Sequence, residues 1–167
     1  PRPNLPTIVR CVEHGFGLSE ASNTPVMMEL RIRACHVRGS FTTRDNQRPA
    51  ISTRQLQQEP AEFDYNRLSH PPVTFRHEKL KYEVRMPAAQ RYIVEHGLNE
   101  RFDGDVDELG IIVQGGLYNT LIRALQTLGL ADTWGHTRIP ILALNVVYPL
   151  VPEQINDFCA GKRAVLM

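Results

Sequence analysis

From Leu109 to Leu166 the sequence alternates short apolar runs with helical stripes, and few folds accommodate that alternation. Leu109–Val113 is an apolar run too short for a helix, closed by Gln114-Gly115-Gly116. Leu117, Leu121, Leu125 and Leu128 then recur at helical spacing, one face of a helix that Gly129 ends. A second run, Ile141–Val147, leads into the rigid connector Pro149-Leu150-Val151-Pro152. Glu153–Ala160 reads as a short helix stopped by Gly161, and Ala164–Leu166 opens a third strand. Strand, helix, strand, helix, strand predicts a parallel sheet with helices packed on it, an α/β fold.

Upstream the pattern is of two kinds. Thr7–Ser22 predicts a helix, with Ile8, Val12 and Phe16 on one stripe widened by Val9 and Cys11. Ser22-Asn-Thr-Pro25 breaks it, and Pro25–Leu30 is expected as a buried strand, the closing half of a parallel βαβ unit. From Gly39 to about His77 no stripe persists, polar residues fill 42–48, and prolines stand at 49, 60, 71 and 72. So long a stretch without periodicity is unusual inside one compact domain. It is expected as an arm draped over neighbouring surfaces, with Phe63, Tyr65 and Phe75 as anchors. Pro87 is expected to open the next helix, with Ala89, Ile93 and His96 on one face and Gly97 as its stop.

Composition narrows the function classes. Lys plus Arg number 19 and Asp plus Glu 18, a net charge of +1, so nothing marks a nucleic-acid or membrane-surface binder. The longest apolar stretch, Ile139–Val151, is interrupted by Pro140, Asn145 and Pro149 and is too short to span a bilayer. Cys11, Cys35 and Cys159 are odd in number and far apart, which fits reduced thiols in a cytoplasmic protein. Pro1 opens the chain and the apolar Ala164-Val-Leu-Met167 closes it, so the sequence reads as a piece of a longer one.

Three places carry candidate chemistry. Gly115-Gly116 lies between a strand and a helix, where backbone N–H groups can hold a phosphate. The spaced glycines of a dinucleotide fingerprint and the Lys-Ser/Thr of a P-loop are missing, so glycine easing a sharp βα turn is the simpler reading. Arg31, Arg33 and His36 follow the expected first strand, at the carboxyl end where α/β proteins place ligand contacts. Two arginines can clamp a carboxylate or phosphate and His36 can move a proton, or all three can serve ion pairs and an interface. Cys35-His36 lacks the further ligands a zinc site needs. Trp134 and His136 precede a strand, where they can bind a ligand, but packing under the sheet edge is the simpler expectation. A calcium loop starting at Asp103 fails, because its last position is Gln114 rather than a glutamate. His77-Glu78-Lys79 and Lys81 read as a solvated face.

Beyond single motifs, Ser22-Asn-Thr-Pro-Val-Met-Met-Glu-Leu-Arg-Ile-Arg-Ala-Cys-His36 resembles the end of the pyrimidine-binding domain of 2-oxoacid:ferredoxin oxidoreductases. Arg33 and His36 match the arginine and histidine of that domain's tail, and Ile32 stands where the family has threonine. Gly110–Leu130, Leu142–Pro152 and Lys162–Met167 resemble the opening of the family's transketolase C-terminal-like domain. The intervening His77-Glu-Lys and Pro87-Ala-Ala are similar to the arm of the fused, indolepyruvate type.

The resemblance implies parallel-sheet, three-layer α/β pieces divided at 1–38 (end of the pyrimidine-binding-like domain), 39–107 (arm with one helix) and 108–167 (start of the second domain). It implies a parent enzyme that oxidatively decarboxylates an aryl 2-oxoacid to acyl-CoA and CO2, using thiamine diphosphate, magnesium and iron–sulfur clusters, with coenzyme A and ferredoxin as partners. The parent is expected to be a cytoplasmic homo-oligomer. The diphosphate motif, the activating glutamate and the cluster cysteines are expected outside these residues, leaving a non-catalytic scaffold whose Arg31, Arg33 and His36 lie nearest any active site. Two other readings stay open: a stand-alone α/β module taking a small anion at Gly115-Gly116 or Arg31-Arg33, and an interaction domain.

Overall fold

The computed structural model describes residues 1–46, 54 and 64–167. The sheet lies where the alternation places it. Strands β1 (Glu100–Phe102), β2 (Leu109–Gln114), β3 (Ile141–Leu144) and β4 (Ala164–Leu166) pair in the order β1-β3-β2-β4. β2 runs parallel to both β3 and β4, with Ile111 opposite Ile141 and Gly110 opposite Val165. The sheet is mixed rather than wholly parallel, because β1 pairs antiparallel with β3, Arg101 opposite Leu142. Only three residues long and of mixed polarity, β1 leaves no period-2 signal to find.

Successive strand residues face opposite ways, and each face meets a helix. Ile111, Ile141 and Ala143 pack against Tyr118, Ile122 and Leu125 of α4 (Tyr118–Thr127). Ile112, Leu142 and Leu144 pack on the other side against Phe158 of α5 (Pro152–Cys159). The result is a three-layer α/β arrangement. Gly110 keeps β2 thin under α5, since a Cβ there would lie 2.9 Å from Cε1 of Phe158. On α4 the core stripe is Tyr118, Ile122 and Leu125 rather than the four leucines. Leu125 is 4% exposed, whereas Leu128, past the helix end, is 71% exposed.

A second, purely helical core sits beside the sheet. Helix α1 (Leu5–Ser22) is capped by Asn4, whose side chain accepts from the Thr7 N–H at 2.9 Å, and it ends at Asn23 in the left-handed region. Its Leu18 packs with Ala89 and Ile93 of α3 (Met86–Glu95), closed by Leu98 and Val151. Pro87 stands in the first turn of α3, as expected, but the helical path does not begin there. The helical path starts earlier, at α2 (Val73–Leu80), and reaches α3 through a π-turn over Lys81–Arg85, where the Met86 N–H bonds to Lys81 C=O. Proline has no N–H for the ladder, and a widened turn just before it absorbs that loss.

Two further expectations change. Pro25–Leu30 is not a buried strand: it carries no regular secondary structure, has no ladder partner among the described residues, and Met27 is 83% exposed. An apolar run becomes a strand only when another strand offers its backbone, which none does among the described residues. β3 stops at Leu144, short of Val147, because Asn99 draws the Val146 N–H to its side-chain oxygen at 3.0 Å. Of the proposed anchors, Tyr65 and Phe75 are exposed and Phe63 lies outside the described residues, as do the prolines at 49 and 60 and glutamines 55, 57 and 58. No helix among the described residues is long and apolar enough to cross a membrane.

Candidate functional site

The carboxyl ends of β2 and β3 are where an open α/β sheet presents its chemistry. There the chain assembles a polar network that no motif announces. Arg2 donates from Nε and Nη2 to the two oxygens of Glu100, each at 2.7 Å, and its guanidinium lies 5.1 Å from the Phe102 ring and 5.0 Å from the Tyr118 ring. Asn145, the first residue beyond β3, accepts from the Arg2 backbone N–H at 2.7 Å and donates to Leu98 C=O at 2.9 Å and to Glu100 at 2.8 Å. Burial disfavours the Glu100 carboxylate, but the hydrogen bonds from Arg2 and Asn145 and the Arg2 charge outweigh it, and its pKa falls below the usual value. Arg2 is raised in turn, chiefly by its bond to Glu100. Both charges are consumed by each other, so the network ties the start of the chain to the sheet and leaves no free acid or base.

The same contacts explain Gly115. A Cβ there would meet Asn145 Oδ1 at 2.5 Å and the Arg2 nitrogen at 2.9 Å. The space a phosphate would need at this glycine is filled by the chain's own Pro1-Arg2 and Asn145. The glycine serves close approach.

Arg31 reaches the neighbouring residue, its Nη1 donating to Gly116 C=O at 3.4 Å, so the structure brings together two of the candidate sites. Arg33 and His36 lie on a 3-10 turn over Ile32–His36 at the surface, and among the described residues their side chains have no hydrogen-bond or ion-pair partner. Trp134 does not pack under the sheet: it is 86% exposed. The reason is Asp132, which accepts from the backbone N–H of Trp134 and of His136, each at 2.9 Å, and bonds the His136 ring at 3.0 Å, folding a tight surface turn. Those bonds, foremost the His136 backbone N–H, hold the Asp132 carboxyl below its usual range.

Sequence reading missed Arg2, Glu100 and Asn145. One signal was present: an asparagine interrupting an otherwise apolar strand run has to be satisfied by something. Among the described residues no three His, Cys, Asp or Glu side chains gather to hold a metal, and Cys11, Cys35 and Cys159 are separate free thiols. The described residues therefore offer no donor set that fits a metal ion or an iron–sulfur cluster.

Two known proteins resemble the chain. It is 28% identical over 165 residues to the indolepyruvate oxidoreductase subunit IorA of Methanothermobacter thermautotrophicus, covering 96% of this chain and 24% of that protein. The same subunit from Methanothermobacter marburgensis is also 28% identical, over 98% of this chain and 25% of its own length. The resemblance is to an indolepyruvate oxidoreductase subunit. It runs through nearly the whole chain rather than through one motif, and the indolepyruvate type expected from the sequence is the one these relatives carry in their names. The chain spans about a quarter of the length of the curated relatives it matches. No family model matches it. No solved structure matches it either.

Proposed function

We propose that this chain is the stretch of an indolepyruvate-type 2-oxoacid oxidoreductase subunit that joins the end of a pyrimidine-binding-like domain (1–38), through an arm (39–107), to the start of a transketolase C-terminal-like domain (108–167). The observation that carries this reading is the continuous similarity over nearly the whole chain to about a quarter of two such subunits. In the complete, cytoplasmic and homo-oligomeric protein, an aryl 2-oxoacid is oxidatively decarboxylated to acyl-CoA and CO2, with thiamine diphosphate, magnesium and iron–sulfur clusters bound elsewhere and with coenzyme A and ferredoxin as partners.

Within it these residues are scaffold and interface. Two features support that role. Pro25–Leu30 is largely apolar and has no strand partner among the described residues, and Phe16 on α1 is 74% exposed, surfaces a lone domain seldom leaves open. Arg31, Arg33 and His36 follow that segment and stand nearest the substrate. Hydrogen exchange on the complete gene product tests the placement: the amides of Val26–Leu30 are expected to exchange slowly there and fast in the isolated 167-residue chain. Equally fast exchange in both would overturn it.

A further inference from the structure

We propose that the cleft between α1, α3 and the carboxyl end of β3 binds a small, neutral aromatic molecule of fused-ring size. It is open on one side and has a volume of about 410 Å³. A dry apolar cavity of roughly 150 Å³ already accepts benzene, so there is room here for more than one ring. Its walls come from both cores: Leu18 of α1, Ala89 of α3, then Leu98, Leu144 and Val146.

The polar groups on the lining select against charge. Asn145 has both its oxygen and its amide engaged by Arg2, Leu98 and Glu100. The Ser22 hydroxyl donates to Leu18 C=O at 2.6 Å and the Thr24 hydroxyl to Ser22 C=O at 3.1 Å. His14 bonds the Tyr92 hydroxyl at 3.1 Å, and burial, with Arg10 and His96 beside it, disfavours its protonation; burial likewise keeps the Cys11 thiol protonated. Glu29, the one carboxylate of the lining, is exposed. Gln114 and Tyr148 also line the cleft, but both are exposed and keep their own hydration. An ionic ligand seated against the apolar walls would therefore lose its hydration and find no buried charge to pair with, whereas an apolar ring loses nothing. Three methionines on the lining, Met27, Met28 and Met86, offer the soft thioether contacts that aromatic rings favour.

Gly15 provides the test. It lines the cleft on α1, and a Cβ there meets only Val26 Cγ1, at 3.9 Å, an ordinary contact. Gly15→Leu therefore fills the space from a helix it also favours. The complete gene product is titrated with 2-naphthol and with 2-naphthoate by ligand-observed NMR, alongside Gly15→Ala and Gly15→Leu. The expected result is saturable binding of 2-naphthol, about tenfold or more weaker binding of 2-naphthoate, retention in Gly15→Ala, and loss of about tenfold or more in Gly15→Leu. Thermal melts check folding, and if Gly15→Leu melts early, Val147→Trp, at a half-exposed position of the lining, is read instead. Absence of 2-naphthol binding in the complete protein, equal binding of the anion, or binding unchanged in a folded cleft-filled variant would overturn the proposal. Because turnover of 2-oxoacids is not the readout, its failure is separate from any failure of the oxidoreductase reading.

Discussion

Truncating leucines along α4 separates what the structure claims from what periodicity alone suggests. Leu125 is enclosed by Ile111, Tyr118, Ile122, Ile141 and Ala143, with Phe102, Leu121 and Leu130 around the rim, so Leu125→Ala leaves a cavity that the sheet cannot collapse into. Such a change costs about 2–5 kcal/mol, and a site braced by two β-strands belongs in the upper half of that range. Leu128 occupies the same stripe by spacing but stands 71% exposed beyond the helix end, so Leu128→Ala should stay within about 0.5 kcal/mol. Leu121, half-buried on the rim, should fall between them. Guanidinium unfolding of the 167-residue chain followed by circular dichroism reads all three. At roughly 2–4 °C per kcal/mol for a chain of this size, melting temperatures should rank the same way. Equal losses for Leu125→Ala and Leu128→Ala would mean that α4 meets the sheet through the leucine stripe, and the packing described here would be wrong.

Three other outcomes follow from the same contacts. Glu100 has a folded pKa below its unfolded one, so its contribution is complete above the unfolded value near 4.5 and is lost as pH falls through the folded pKa; Glu100→Gln should cost about 1.5–3 kcal/mol at pH 7 and flatten the acid limb of a stability–pH profile. Gly17→Ala should loosen α1 from α3 and lower the melting temperature, because its Cβ would collide with the Tyr92 hydroxyl, while Gly15→Ala should be neutral or mildly stabilising. In the complete gene product, on the proposed function, Arg33→Ala should lower 2-oxoacid turnover while leaving the melting temperature unchanged, since Arg33 is exposed and its side chain has no hydrogen-bond or ion-pair partner among the described residues.

The sheet was legible because its signal is internal. β2, β3 and β4 each carry an apolar run bounded by glycine or proline, and α4 and α5 fill the intervals at helical period. What the sequence hid depends on residues far apart in the chain. β1 exists because Arg101 finds Leu142, and the α4 face turns toward Tyr118 and Ile122 because those side chains meet Ile111 and Ile141. Pro25–Leu30 shows the converse, a segment with strand composition that finds no strand among the described residues to pair with. The Arg2–Glu100–Asn145 network was invisible for the same reason, since Arg2 and Glu100 are 98 residues apart and neither sits in a motif. Arg31 and Gly116 were each noticed separately, but only the fold brings them to 3.4 Å.

The proposed place of this chain inside an indolepyruvate-type oxidoreductase is open to a direct test. The direct measurement is reduction of ferredoxin by the purified complete gene product, with any partner subunit encoded beside it, given indolepyruvate and coenzyme A under anaerobic conditions. The account predicts reduction that requires both the aryl 2-oxoacid and coenzyme A and releases CO2 in step with it. A fully assembled, cofactor-loaded protein that reduces no acceptor with any aryl 2-oxoacid would contradict it.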